Sequence, residues 1–219
     1  AEVLLTEMIE ITWPSGDKYL IDKTTVTKEQ YMSFLSSSPA SQTDEFCSWN
    51  TDYLPSPDDN NWPPPKEKYS YPVGFVDWCD AKAYCEWAKK RLCSGTYSGY
   101  SDANSDEWYN ACSKNGTQMY PYGNDYQSGY CNDSNNGVGD TVAVLSMPNC
   151  KGGFEGLFDM VGNQWQWTGS MKDDDRVVRG GTYNHGNDYS SCYDGTHKTS
   201  YPKTSKSNAV GFRCCKDAQ

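Results

Sequence analysis

Ten cysteines scattered along 219 residues constrain this chain more than any other feature. Their number is even and none are spaced as the Cys-x-x-Cys pairs of a zinc site, whereas a reduced cytosolic protein of this size rarely carries so many. The expectation is an oxidised chain stapled by disulfides. The location this implies is extracellular, periplasmic or the cell surface, with a signal peptide already removed ahead of Ala1. No composition break or repeat divides the sequence, so residues 1–219 read as a single domain.

Only 36% of the residues are hydrophobic, yet there are eight Trp and seventeen Tyr. The core is therefore expected to use few, large, partly polar rings with much irregular backbone between them. The net charge of −10 and pI near 4.6 repel nucleic acid and anionic membranes at long range, and favour cationic ligands or metal ions. No apolar run approaches the ~20 residues of a membrane span. Asn115-Gly-Thr and Asn132-Asp-Ser fit the glycosylation tripeptide.

Along the chain, Val3 to Ile11 and Lys18 to Ile21 read as strands joined at Pro14-Ser15-Gly16. Thr27 with Gln30 forms a capping box for a helix from Lys28 to about Leu35. Residues 36–72 read as a long surface loop tied down by Cys47 and Trp62. Asp77 caps a helix reaching about Lys90, with Trp78, Ala81, Cys85 and Ala88 on one face. A shorter helix runs from Ser105 to about Cys112, and turn residues dominate from Ser113 to Cys150. The stretch Gly156 to Trp167 organises the C-terminal half. There Trp165 and Trp167 alternate with Gln164 and Gln166, the period of a strand with one buried face, behind a sharp turn at Gly162-Asn163. Further strands are expected at Arg176 to Val178 and Ala209 to Arg213.

These segments carry a family resemblance. Tyr19 to Tyr31, Pro72-Val73, Trp78 to Leu92, Asp106-Glu-Trp108, Tyr120-Pro-Tyr-Gly123, Asp159-Met-Val-Gly-Asn163, Trp165, Trp167, Arg179-Gly-Gly181 and Gly211-Phe-Arg213 resemble, in that order, the sulfatase-modifying-factor family, which includes the formylglycine-generating enzymes. The resemblance implies an α+β, C-type-lectin-like fold of the formylglycine-generating-enzyme type, with little regular secondary structure. Function does not follow from fold and is tested residue by residue.

The enzymes of that family oxidise a substrate cysteine with copper held by two cysteines five residues apart, between the Arg-Gly-Gly and Gly-Phe-Arg motifs. Counting without gaps, those positions are His185 and Ser190. Thiolates suit Cu(I), so no copper is expected here. The segment holds one cysteine, Cys192, and two weaker alternatives: a metal shared by His185, Cys192 and His197, and a Ser190/His185/Asp188 arrangement with nothing to orient its base. The resemblance implies disulfides Cys85–Cys214 and Cys112–Cys192. Proximity in the chain suggests Cys93–Cys215, Cys131–Cys150 and Cys47–Cys79, each worth roughly 2–4 kcal/mol.

Two calcium positions also carry over from the resemblance. The first comprises Asp159, Gly162, Gln164 and Gln166, the middle two through backbone oxygen, and the second Asn132, Asp133, Asn136 and Val138. Gln166 and Asn136 stand where acids would supply charge, and ordinary turn chemistry is the alternative. The segment from Tyr183 to His197 is almost wholly Tyr, Asn, Ser, Gly, Asp and His, an alphabet shared with antibody paratopes. Its candidate ligand-binding residues are Tyr183, Asn184, His185, Asn187, Asp188, Tyr189, Tyr193, Asp194 and His197. This also resembles the variable proteins of diversity-generating retroelements, which rewrite adenine-rich codons in this segment. Three readings follow: a recognition or self-assembly module for a protein or glycan, a solvated loop on a stapled scaffold, or a divergent metal-dependent oxidoreductase. The first expects Tyr189 and Tyr193 to serve binding rather than folding.

Overall fold

The computed structural model describes residues 4–60, 62–95, 102–193 and 200–218. Strand β1 (Met8–Thr12) turns at Gly16, whose φ of +97° suits glycine, into β2 (Lys18–Asp22). Helix α1 (Lys28–Ser36) starts at the expected capping box: the Gln30 amide N–H donates to Thr27 Oγ1 and the Thr27 N–H donates to Gln30 Oε1. It buries Tyr31 and Phe34. A second capping box, Asp77 with Asp80, opens α2 (Trp78–Trp87). That helix stops short of Lys90 because Lys89 turns to a φ of +60°. β3 (Arg91–Leu92) and α3 (Glu107–Ser113), capped by Asp106, follow.

The second half contributes β4 (Trp165–Lys172), β5 (Asp175–Arg179), β6 (Ser200–Pro202), β7 (Val210–Phe212) and β8 (Cys214–Asp217). One sheet has the order β1-β2-β8-β3 and the other β6-β5-β4-β7, with β4 and β7 parallel. The expected first strand begins only at Met8, and the expected last strand is shortened to Val210–Phe212 and followed, after Arg213, by the unexpected strand β8. Residues 36–72 contain, among those described, one 3-10 turn at Lys66–Lys68. Trp62 packs against the core there, and the Cys47–Cys79 bridge anchors the loop to α2.

All ten cysteines are paired: Cys47–Cys79, Cys85–Cys214, Cys93–Cys215, Cys112–Cys192 and Cys131–Cys150. The neighbours Cys214 and Cys215 diverge, one toward α2 and one toward β3, and so clamp β8 from both sides. Among the described residues no helix is long and apolar enough to cross a membrane.

One expectation is corrected. Alternation along Gln164 to Trp167 suggested a strand with one buried face, but Gln164 and Gln166 are as fully buried as the two tryptophans. β4 is covered on both faces, and burying a primary amide is tolerable only where its hydrogen bonds are replaced. Gln166 replaces all of them. Its Oε1 accepts from Trp108 Nε1 (2.9 Å) and Arg213 Nε (2.7 Å), and its Nε2 donates to the carbonyls of Asp159 (3.1 Å) and Met160 (2.9 Å).

Arg213 lies where the chain leaves one sheet for the other. Besides Gln166, its fully buried guanidinium donates to the carbonyls of Asp22 (3.0 Å), Lys23 (3.5 Å), Phe158 (2.9 Å) and Asp159 (2.7 Å). Burial pulls its pKa down to about 10, against the carboxylates of Asp159 and Asp22. Lysine offers a point charge in place of this planar fork. Arg213→Lys is therefore expected to cost at least ~3 kcal/mol, read as a fall in Tm of about 6–12 °C for a chain of this size, with the disulfides intact. A loss below ~1 kcal/mol would show that the fork is dispensable.

The same network sets a pH dependence. Burial pushes Asp159 and Asp22 up from 3.8 to about 6, in the second case despite the ammonium of Lys90 beside it. In that window the folded chain holds protons that the unfolded chain has lost, so stability falls as pH rises from about 4 to about 6. Melting curves should show a higher Tm at pH 5 than at pH 7.5. Asp159→Asn, which keeps the acceptor for the Leu145 N–H, should flatten the difference, and an unchanged slope would refute this cause.

Candidate binding surface

Three glycine-dependent contacts seat the segment that follows the Arg-Gly-Gly motif. Gly162 has a φ of +70°, and a side chain there would meet the Asn132 carbonyl at 2.6 Å. Gly180 and Gly181 also have positive φ, and side chains on them would meet the carbonyls of Met160 and Tyr189 at 2.6 and 2.8 Å. Close backbone approach, available only to glycine, thus joins the turn at 162 to the loop at 132, seats residue 180 on the loop at 160, and folds residue 181 against 189. Arg179 is fixed beneath by a buried ion pair to Asp106 at 2.8 Å. The Cys112–Cys192 bridge ties the far end to α3, and the Cys192 N–H donates to the Met119 carbonyl.

On this base the side chains divide into two groups. His185 Nδ1 lies 2.8 Å from Thr182 Oγ1, and its ring packs on Trp165 (5.2 Å) and Tyr189 (4.7 Å). Burial lowers its pKa, so the imidazole is neutral at pH 7. Tyr189 meets Trp165 edge-on at 6.1 Å and is half-buried, as is Tyr183. Asn184, Asn187, Asp188 and Tyr193, the last 40% exposed, face outward. Asp194 and His197 lie outside the described residues.

The face is wider than the sequence reading made it. Tyr120 lies beside Asn187 and feels the Asp188 charge, and it stacks on Tyr122 at 5.6 Å and an interplanar angle of 8°. Tyr126 packs on Tyr120 at 5.8 Å, and Tyr130 on Tyr122 at 5.1 Å. Tyr126 donates to Asp133 at 2.8 Å, and the Ser134 N–H donates to the His185 carbonyl, which joins both segments. The missed signal was the run of tyrosines at 120, 122, 126 and 130.

The catalytic alternatives do not assemble. Ser190 Oγ is buried with no hydrogen-bond partner, and His185 turns to Thr182 rather than to Ser190 or Asp188. A bis-thiolate copper centre does not fit, since its two positions are an imidazole and a hydroxyl and every cysteine is in a disulfide. Among the described residues no three His, Cys, Asp or Glu side chains gather as a metal site.

In the first calcium set the side-chain oxygen of Gln166 is already engaged within the protein. Both lone pairs of Gln166 Oε1 are taken by N–H donors, and the Asp159 carbonyl already accepts from Gln166 and from the Arg213 cation. Gly162 O accepts the Gln164 N–H, while the Gln164 side chain donates to the Asn208 carbonyl. The second set stays together on one loop. Asp133 caps the 3-10 turn Ser134–Asn136, Asn136 Nδ2 lies 3.5 Å from Asn132 Oδ1, and Val138 is exposed.

Two small sheets, short helices and a stapled, loop-built face define the chain as a formylglycine-generating-enzyme-type fold of mixed α and β. The profile of the sulfatase-modifying factor enzyme 1-like domain matches residues 13–218, and the chain belongs to that family. It is 32% identical over 174 residues to the inactive C-alpha-formylglycine-generating enzyme 2 of Bos taurus, covering 70% of this chain and 52% of that protein. It is 29% identical over 180 residues to the formylglycine-generating enzyme of Mus musculus, covering 68% and 45%. The chain thus spans about half the length of these relatives. Treponema denticola variable protein 1 shares the fold at a TM-score of 0.58 and 16% identity, over 98% of this chain and 94% of that one.

The expectation that Tyr189 and Tyr193 are alike separates here. Tyr189→Ala is expected to cost about 2 kcal/mol by emptying space against Trp165 and His185, and Tyr193→Ala less than ~0.5 kcal/mol. Urea denaturation of the two single variants checks this, and equal losses would contradict the division.

Proposed function

We propose that this chain is a non-catalytic recognition module that holds a protein or glycan ligand on the face built by residues 183–193 and the tyrosine-rich loop at 120–130. The observation that carries the reading is the exchange of the two sulfur donors for His185 and Ser190 while all ten cysteines are in disulfides. The scaffold of an oxidase is retained without the thiolates its copper chemistry requires. What stands there instead is an outward array of Asn184, Asn187, Asp188 and Tyr193 on a rigid base, and such side chains supply contact area and adaptable hydrogen bonds.

A relative whose name marks it as inactive and a similar fold called a variable protein support the same reading. The disulfides favour an oxidising setting, and the module is assigned to the extracellular space, the periplasm or the cell surface. A structural calcium ion belongs at Asn132, Asp133, Asn136 and Val138 rather than at the set filled by Gln166 and Arg213.

The test compares the wild type with a variant carrying Asn184→Ala, Asn187→Ala, Asp188→Ala and Tyr193→Ala on glycan and protein arrays. Ligands retained by the wild type should be lost by the variant at an unchanged Tm. Identical binding profiles would refute this face as the binding surface.

A further inference from the structure

Residues 115–150 and 180–193 contain no Lys or Arg, although the chain has 19 elsewhere. These two segments build the tyrosine face. Asp125, Asp140 and Asp188 are exposed on them, and among the described residues none of the three is in an ion pair. The rest of the molecule treats its charges and rings otherwise. Lys68 sits over the Tyr71 ring at 3.7 Å and the Arg176 guanidinium over Trp78 at 4.4 Å. Some carboxylates elsewhere pair with lysine, as Asp44 does with Lys82 and Glu10 with Lys18. Among the described residues no cation covers the rings of Tyr120, Tyr122, Tyr126 or Tyr130.

We propose that this face takes an arginine-bearing segment of a partner protein, the guanidinium groups lying against the solvent-facing parts of the half-buried tyrosine rings and pairing with Asp125 and Asp188. The proposal rests on the recognition-module reading and adds the chemistry of the partner. The electron-rich face of a phenol attracts a cation, and arginine more than lysine because its planar group also stacks. Carboxylates beside the rings add attraction at contact, and the net charge of −10 steers a basic segment from a distance. The raised phenol pKa values of Tyr120, Tyr122 and Tyr126 keep those rings neutral at physiological pH. A neutral sugar could stack on the same rings but would leave the carboxylates unused, and an acidic segment would be repelled.

The probe is a fluorescent Gly-Ser nonapeptide with three spaced arginines and no cysteine, titrated at physiological salt with a chelator present. Its counterparts carry Gln or Lys in place of Arg. The Arg peptide should bind at least about ten-fold tighter than the Gln peptide, and tighter than the Lys peptide. Asp125→Asn with Asp188→Asn should weaken it about ten-fold, whereas Glu29→Gln with Glu155→Gln, the same charge removed from exposed positions elsewhere, should weaken it less than about two-fold. Tyr120→Leu should lower affinity and Tyr120→Phe should not, which separates the ring face from the hydroxyl.

Equal losses in the two double variants would overturn the proposal in favour of a delocalised field. So would equal binding of the Gln peptide, or no binding of any peptide. Array ligands that are neutral and sensitive to the four-residue variant would then keep the recognition reading while removing the cation.

Discussion

The guanidinium of Arg213 is the constraint on which the rest of the structure depends. The chain passes there from β7 into β8, and so from one four-stranded sheet into the other. The group is completely buried and reaches the end of β2, the loop at 158–159 and the central glutamine of β4. A buried cation is costly unless its donors are met, and here backbone carbonyls and Gln166 meet them. Gln166 passes the constraint on to Trp108 of α3, so that one polar cluster fixes both sheets and a helix. Cys214 and Cys215 then lock β8 covalently on either side of the same point. A protein with so little regular structure needs such a centre, because its short strands close little core by themselves.

Much of this was legible in the sequence. The capping box Thr27/Gln30 and the cap Asp77 sit next to apolar residues at helical spacing, and local signals of that kind survive packing. The family motifs and the cysteine pattern carried the topology, which no local signal could. Gln164 and Gln166 misled, since a period-2 pattern reports which residues are polar but not whether tertiary partners bury them. Their partners lie far away in the chain, at Asn208, Trp108 and Arg213. The ends of elements failed for a similar reason: α2 stops at a positive φ on a lysine, a choice made by the turn into β3 rather than by lysine itself.

The candidate face was half legible. Composition singled out residues 183–197, but the four tyrosines from 120 to 130 are separated from them by about sixty residues, and only the fold brings Tyr120 to Asn187. The structure also sorts the named residues by duty. His185 and Tyr189 pack against Trp165, while Asn184, Asn187, Asp188 and Tyr193 are exposed. The His185 imidazole is a ring in a wall, packed on Trp165 and Tyr189. Near Gln166 the loop at 158–159 is held by the hydrogen bonds of the buried Arg213 cation.

The proposed reading is that this chain keeps the family fold without the sulfur-ligated copper chemistry. The most direct measurement is anaerobic reconstitution of the purified, fully oxidised chain with Cu(I) against a competing chelator, followed by incubation with a cysteine peptide under air and mass analysis for conversion of the thiol to an aldehyde. The expected result is no stoichiometric copper retained and no aldehyde. One copper per chain with turnover of the peptide would contradict the claim.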